Sequence, residues 1–460
     1  MSLLLFLLAC SDDKPSVDSD DLSTSETADQ DSAITESSGP SDDGDTDEDS
    51  GATTGTDDTG VADTPLNVLM ISLDTTRIDG LGRFSDGTHT PNLDALMDRS
   101  LVLDDHFSCS NWTFASVLCV QAGARGTETG FIPEVGNITD RVPETVQTAE
   151  KVLSDVGYQT ALLSSNPYFH DSTGVARDFD FIKLEQDVVA EDLTDWTLDA
   201  LSDMDADKPW YVHAHYIDPH APYTPPASYT EDAIAALEPL PVEAQVIVRS
   251  WEHYDTRIQD LTLEHLAVYY NGELEYFDDQ LGRLLAEAEA MGMLENTLVV
   301  FWTDHGEQFS DHGGFGHGNS LYWEENRSVA SFQGPGVTPE SWTGPTSHED
   351  IWPTTLTLMG ITVPDSFTGH PAWEHPEDDI RYGLDYQLQE SQQFVERGGY
   401  KLIHRWEDNT FQLYNLMLDP EETVDIFDFG DATSQQLYDE LIAERARVRE
   451  LRPTKPGPGG

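Results

Sequence analysis

A chain of 460 residues, 38% of them hydrophobic, is long enough for a large core and implies one big domain with an accessory one. Its formal net charge of -64 excludes nucleic acid as a partner, because an acidic surface repels phosphate backbones. The surplus is not confined to a tail: residues 64–460 hold 69 acids against 22 Lys and Arg, a balance easiest to tolerate where salt screens self-repulsion.

The first ten residues, MSLLLFLLAC, form an apolar run ending on Cys10 that is too short to span a bilayer and is similar to a lipoprotein signal. They predict an exported bacterial protein facing the periplasm or cell exterior, with a lipid on Cys10 as its only membrane anchor. Residues 11–63 are mostly Ser, Thr, Asp, Glu and Gly; they lack the apolar surface to order and read as an acidic linker. Asn67–Leu73 (NVLMISL) is then a continuous apolar run, the pattern of a strand buried on both faces. Similar runs lie at Thr160–Leu163, Trp210–Ile217 and Thr297–Trp302. Between them, Leu266–Met293 places Tyr270, Leu274, Phe277, Leu281 and Leu284 at helical spacing. Strands alternating with helices predict an α/β fold with a mostly parallel central sheet sandwiched by helices, over residues 64–362. From 363 to 452 the texture changes: Gly399–Arg405 and Thr410–Tyr414 alternate like hairpin strands and a helix is predicted near Ser434–Val448, giving a small α+β subdomain. Residues 453–460 read as a loose tail.

Two predicted strand ends carry acids, Asp74 after NVLMISL and Asp304-His305 after LVVFWT. Ligands of open parallel sheets bind beyond the carboxyl ends of strands, and two carboxylates with an imidazole suit a divalent cation. Asp304–Gly318 (DHGEQFSDHGGFGHG) adds His312, His317 and five glycines, a density that lets backbone approach a ligand. His213 and His215 point one way along a strand and read as core histidines, whereas His220 lies beyond the strand end, where a substrate meets it. Cys109 and Cys119 bracket Thr113; two small buried thiols are the favoured reading, and a disulfide is the alternative.

The segments NVLMISLDTTRIDGLG, TPNLDAL, HYIDPHAPYTPP, YNGELEYFDDQLGRLL, NTLVVFWTDHGEQFSDHGGFGHGNSLYWEE and DIWPTTLTLMGI resemble, in order, the signature segments of bacterial sulfatases in the alkaline-phosphatase superfamily. That resemblance implies an alkaline-phosphatase-like fold and a hydrolase of sulfate or phosphate esters. It implies metal ligands at Asp74, Asp304 and His305, a substrate-side histidine at His220, and His317 where many sulfatases place a Lys on the bound oxyanion. One divalent cation is expected, with Mn, Mg or Zn favoured over Ca because a His is among the ligands, and His220 and His317 leave room for a second. Arg77 is a candidate either for the substrate anion or for pairing with acids. The nucleophile segment departs from the family pattern. Thr113-Phe-Ala-Ser-Val117 stands where sulfatases carry Cys or Ser in C/S-x-P-S-R, so Thr113 replaces the formylglycine precursor and Val117 replaces Arg. A Thr here resembles the phosphoryl-transferring relatives and some phosphodiesterases, in which a metal-bound Thr hydroxyl attacks. The expected substrate is a small, glycan-linked or lipid-linked ester. A head-group transferase and a non-catalytic binding protein on the same fold are the alternatives.

Overall fold

The computed structural model describes residues 64–85, 90–137, 139–186, 188–240, 259–375, 379–387 and 391–452. The N-terminal signal, the acidic linker and the C-terminal tail read from the sequence lie outside the described residues. Fifteen strands are described: β1 (Asn67–Leu73), β2 (Leu101–Phe107), β3 (Gln159–Ser164), β4 (Phe181–Leu184), β5 (Trp210–Tyr216), β6 (Thr297–Thr303), β7 (Gln308–Phe309), β8 (Phe315–Gly316), β9 (Arg327–Gln333), β10 (Glu340–Trp342), β11 (Thr346–Ser347), β12 (Ile380–Asp385), β13 (Gln392–Arg397), β14 (Tyr400–Arg405) and β15 (Thr410–Asn415).

The main sheet runs β10-β2-β9-β6-β1-β5-β3-β4, with β11 also beside β2. The strands from β6 to β4 are parallel, and β9 is antiparallel to both β2 and β6. The apolar run of β1 is continuous because both its faces are covered. Leu69, Ile71 and Leu73 enter one core with Tyr270, Leu274 and Phe277 of the helix Gln259–Ala290. Val68 and Met70 enter the opposite core with Phe114, Leu118, Trp352 and Leu356. The long helix stops near Ala290, before the predicted Met293, because Gly292 takes a left-handed φ of 75° and the N–H of Met293 turns back onto the carbonyl of Ala288.

The smaller antiparallel sheet, β12-β13-β14-β15, packs one face on the helix Ala432–Leu451 through Val395, Leu402, Leu413, Leu437 and Leu441. Its other face meets the main domain through Phe394, Ile403 and Tyr414 against Phe107 and Leu321. The helix is longer at both ends than the predicted Ser434–Val448, since the Asp431 carboxylate caps it by accepting from the Ser434 N–H.

Candidate active site

β1 and β6 are in register, Leu73 opposite Thr303, so Asp74 and Asp304 leave adjacent parallel strands at the same level. The ladder continues one step further, with the N–H of Asp304 on the carbonyl of Leu73 at 3.1 Å. Thr75 follows in a left-handed φ of 45°, an unusual conformation for a β-branched residue. That turn aims its N–H at Asp304 Oδ1, 3.0 Å away, and the N–H of His305 donates to the same oxygen at 2.7 Å. Asp304 Oδ2 is buried and has no partner.

Thr113 is the first residue of the helix Thr113–Ala122, which starts opposite these strand ends. Its Oγ1 lies 3.5 and 3.4 Å from the two Asp74 carboxylate oxygens and 3.4 Å from His305 Nε2. His305 donates its Nδ1–H to the Gly306 carbonyl at 2.9 Å, so the lone pair of Nε2 is turned into the cluster, 3.5 Å from Asp304 Oδ2. Gly306 has to be glycine: a Cβ there would stand 2.0 Å from the carbonyl oxygen of Glu324.

The electrostatics describe a pocket of converging electron pairs. Burial pushes the Asp304 carboxyl well above its ordinary range, and the charge on Asp74 adds to this. Burial opposes ionisation of Asp74 as well, but the hydrogen bond from His215 and the imidazoles around it hold its pKa low. His305 is driven down to about 3 by burial and by His317, which keeps it neutral. Two buried carboxylates, one with an unpartnered oxygen, facing a bare imidazole nitrogen are the donor set of a divalent cation. Ligand atoms of Asp74, His215 and Asp304 lie within 4.8 Å of one another, and the residues present fit the ion.

Around this cluster the predicted residues divide. His317 is in place, its ring centroid 4.6 Å from that of His305 and 5.0 Å from that of His220. Burial disfavours its charge, but the Glu307 carboxylate, 3.0 Å from Nδ1, outweighs burial and raises its pKa. Glu307 is held down to about 2 in return, against its own burial. His220 lines the cleft beside the site, its Nδ1–H donating to the Ala221 carbonyl at 2.6 Å. Arg77 does not reach the anion position. Its guanidinium is spent on Asp79, Asp311 and the Glu307 carbonyl and lies against Trp323, so it braces the 304–311 segment. Val117, at the family's Arg position, is buried in the apolar core.

Three features were not assigned a site role from sequence. Asn166 donates to Asp74 Oδ2 at 2.6 Å and lies 3.4 Å from Thr113 Oγ1. His215 stands 3.2 Å from Asp74, held from behind by Ser72 Oγ at 2.7 Å, whereas His213 is the core histidine the sequence implied. Cys109 and Cys119 form a disulfide instead of two free thiols. Their Cα atoms are 6.6 Å apart because the 109–112 segment folds back along the helix it leads into. Strand β12 holds the same segment: the N–H of Leu384 donates to the Cys109 carbonyl at 2.9 Å, and Ser110 Oγ donates to the Leu384 carbonyl at 2.7 Å.

Known proteins share this architecture. The family profile named Sulfatase matches residues 66–361. The uncharacterized sulfatase YidJ of Escherichia coli is 24% identical over 452 residues, covering 84% of this chain and 88% of that one. The solved structure of BT4656 with its substrate D-glucosamine-2-N,6-O-disulfate superposes with a TM-score of 0.71 at 18% identity, over 85% of this chain and all of that one. The phosphonate monoester hydrolase of Silicibacter pomeroyi superposes with a TM-score of 0.66 at 19% identity, over 85% and 96%.

Proposed function

The chain belongs to the sulfatase family of ester hydrolases, and from that premise we propose that Thr113 is its nucleophile, acting in a site built around one divalent cation. The observation that carries this is the position of Thr113 Oγ1, within 3.5 Å of both Asp74 oxygens and of His305 Nε2. The Thr113 hydroxyl attacks the sulfur or phosphorus of the ester, the bond to the alcohol oxygen breaks, and water then releases the anion from the threonine. A bound cation would be held by Asp74, Asp304 and His305, with His215 beside them, and would supply charge stabilisation and a lowered hydroxyl pKa. Asn166 fixes Asp74 and Thr113 relative to each other. His317, its pKa raised by Glu307, faces the non-bridging oxygens, and the N-terminus of the helix Thr113–Ala122 adds a favourable dipole. His220, where the cleft joins the site, protonates the departing alcohol.

Family membership favours sulfate esters. Thr113 favours phosphate esters, because its side chain cannot yield the formylglycine aldehyde. The test is turnover of p-nitrophenyl sulfate, p-nitrophenyl phosphate and bis-p-nitrophenyl phosphate by the full chain with Mg²⁺ or Mn²⁺ in high salt. Thr113→Ala is expected to lower kcat/KM at least about 10³-fold with metal content unchanged. Turnover that survives the substitution would remove Thr113 from the mechanism.

A further inference from the structure

Thr113, His305 and His317 sit on three separate stretches of chain, and their mutual distances are set by whatever holds those stretches together. None of the steps above uses the short helix Trp323–Asn326, yet one of its acids, the fully buried Glu325, reaches all three. Its Oε2 accepts from Asn111 Nδ2 at 3.1 Å, two residues before Thr113, and from the N–H of Asn319 at 3.3 Å, two residues after His317. Its Oε1 is hydrogen-bonded to Ser320 Oγ at 2.6 Å. Its main-chain carbonyl accepts from the N–H of Gly306 at 2.8 Å, next to His305. Asn111 closes the ring: its carbonyl accepts from the N–H of Gly318 at 3.1 Å, and its Nδ2 also donates to the Ser320 carbonyl at 2.6 Å. The neighbours of Glu325 each hold one stretch only. Glu324 Oε1 accepts from Gln308 Nε2 at 2.7 Å, and Asn326 Nδ2 donates to the Ser108 carbonyl at 2.6 Å.

We propose that Glu325 is a positioning residue for the reaction, one buried side chain that fixes Thr113 and His317 relative to each other and to His305. This role rests on Thr113 being the nucleophile. Buried donors left unpaired are costly, so the bonds to Glu325 leave the lead-in to Thr113 and the 318–320 stretch one arrangement. Without them the two stretches shift against each other, and about 1 Å of misplacement costs a reacting group about 10²-fold in rate. Glu325 does not line the cleft beside the site, so the loss falls mainly on kcat and not on KM. Burial pushes the Glu325 carboxyl well above its ordinary range, and the charges of Glu324 and Asp385 add to this, which keeps it a neutral acid. Its proton lies on Oε1, facing the Ser320 hydroxyl, because Oε2 already accepts two N–H groups. A glutamine reproduces that pattern, with its amide nitrogen towards Ser320 and its oxygen towards Asn111 and Asn319.

The test is kcat and KM of the metal-loaded full chain on the p-nitrophenyl ester it turns over, with metal content by elemental analysis. Glu325→Leu, which keeps the volume and removes every side-chain bond, is expected to lower kcat at least about 30-fold, with KM within threefold and metal unchanged. Glu325→Gln is expected to stay within threefold of the native kcat. Should the Leu variant fail to fold by circular dichroism, Asn111→Ala cuts the same tie from the nucleophile side and is expected to lower kcat at least tenfold with KM unchanged. A native kcat in the folded variant, an equal loss in Glu325→Gln, or a loss carried by KM would overturn the proposal. Hydrogen exchange followed by mass spectrometry needs no turnover. Exchange over residues 107–113 and 316–322 is expected to be at least tenfold faster in Glu325→Leu, or in Asn111→Ala, than in the native chain or Glu325→Gln. Absence of all turnover, or native turnover in Thr113→Ala, alongside that exchange pattern would remove the catalytic reading and leave Glu325 as the holder of the three stretches. Unchanged exchange would remove that role itself.

Discussion

Asp74 with Asp304 and Asp218 with Glu273 are both buried acid pairs near the carboxyl end of the main sheet, yet they are neutralised in opposite ways. In the first, histidine and asparagine donors hold Asp74 ionised while Asp304 keeps an unpartnered oxygen, an arrangement that suits a cation. In the second, the two acids bond to each other and share a proton. Neighbours, not residue type, decide whether buried carboxylates become a metal site or a neutral brace. A third solution lies between them: Asp79 and Asp311 are joined by the Arg77 guanidinium at 2.8 Å each.

Substitutions that preserve shape separate these cases. Asp304→Asn should abolish the cation site, lowering kcat/KM at least about 10³-fold and removing bound metal by elemental analysis; retained metal would show that the first pair is not its holder. Arg77→Ala should cost about 3–5 kcal/mol in urea unfolding, since it strands two largely buried carboxylates, while Asp311→Asn should cost less. Glu273→Gln should have the smallest effect at neutral pH and the most specific one. A carboxyl raised from 4.5 to about 10 on folding binds more protons folded than unfolded, so it makes stability fall as pH climbs through that window. The Gln variant should lose that slope: its urea midpoint should match the native protein near pH 5 and exceed it at pH 9. Parallel curves across that range would show that the pair does not share a proton.

The grouping of Asp74, Asp304 and His305 was legible in the sequence because each follows an unmistakable buried strand, and register between adjacent parallel strands brings Asp74 and Asp304 level. Thr113 was legible as the first residue of a helix within an ordered series of family segments. Asn166, His215 and Glu307 were not, because their roles depend on which strand ends become neighbours, and β3 and β5 reach the site only through sheet order. The fate of Arg77 was equally hidden. Its second acid, Asp311, is 234 residues away in the chain, and nothing local tells a clamped guanidinium from one facing an anion. The disulfide was misjudged because a cysteine inside a helix suggests a distance that the folded-back 109–112 segment removes.

The bond from Leu384 to Cys109 bears on how this architecture can be cut and recombined. Strand β12 lies beyond the stretch that carries every proposed catalytic group, yet its backbone straps the segment leading into Thr113, and Gln387 donates to the Gly318 carbonyl beside His317 at 2.7 Å. A chain shortened to residues 64–362 would keep all the chemistry and lose the strap at both places. Grafting a different C-terminal subdomain would therefore mean matching a strand edge to the segment leading into Thr113 as well as an apolar face. The small sheet and the segment that carries Thr113 are one structural unit, although some 270 residues separate Thr113 from Leu384 along the chain.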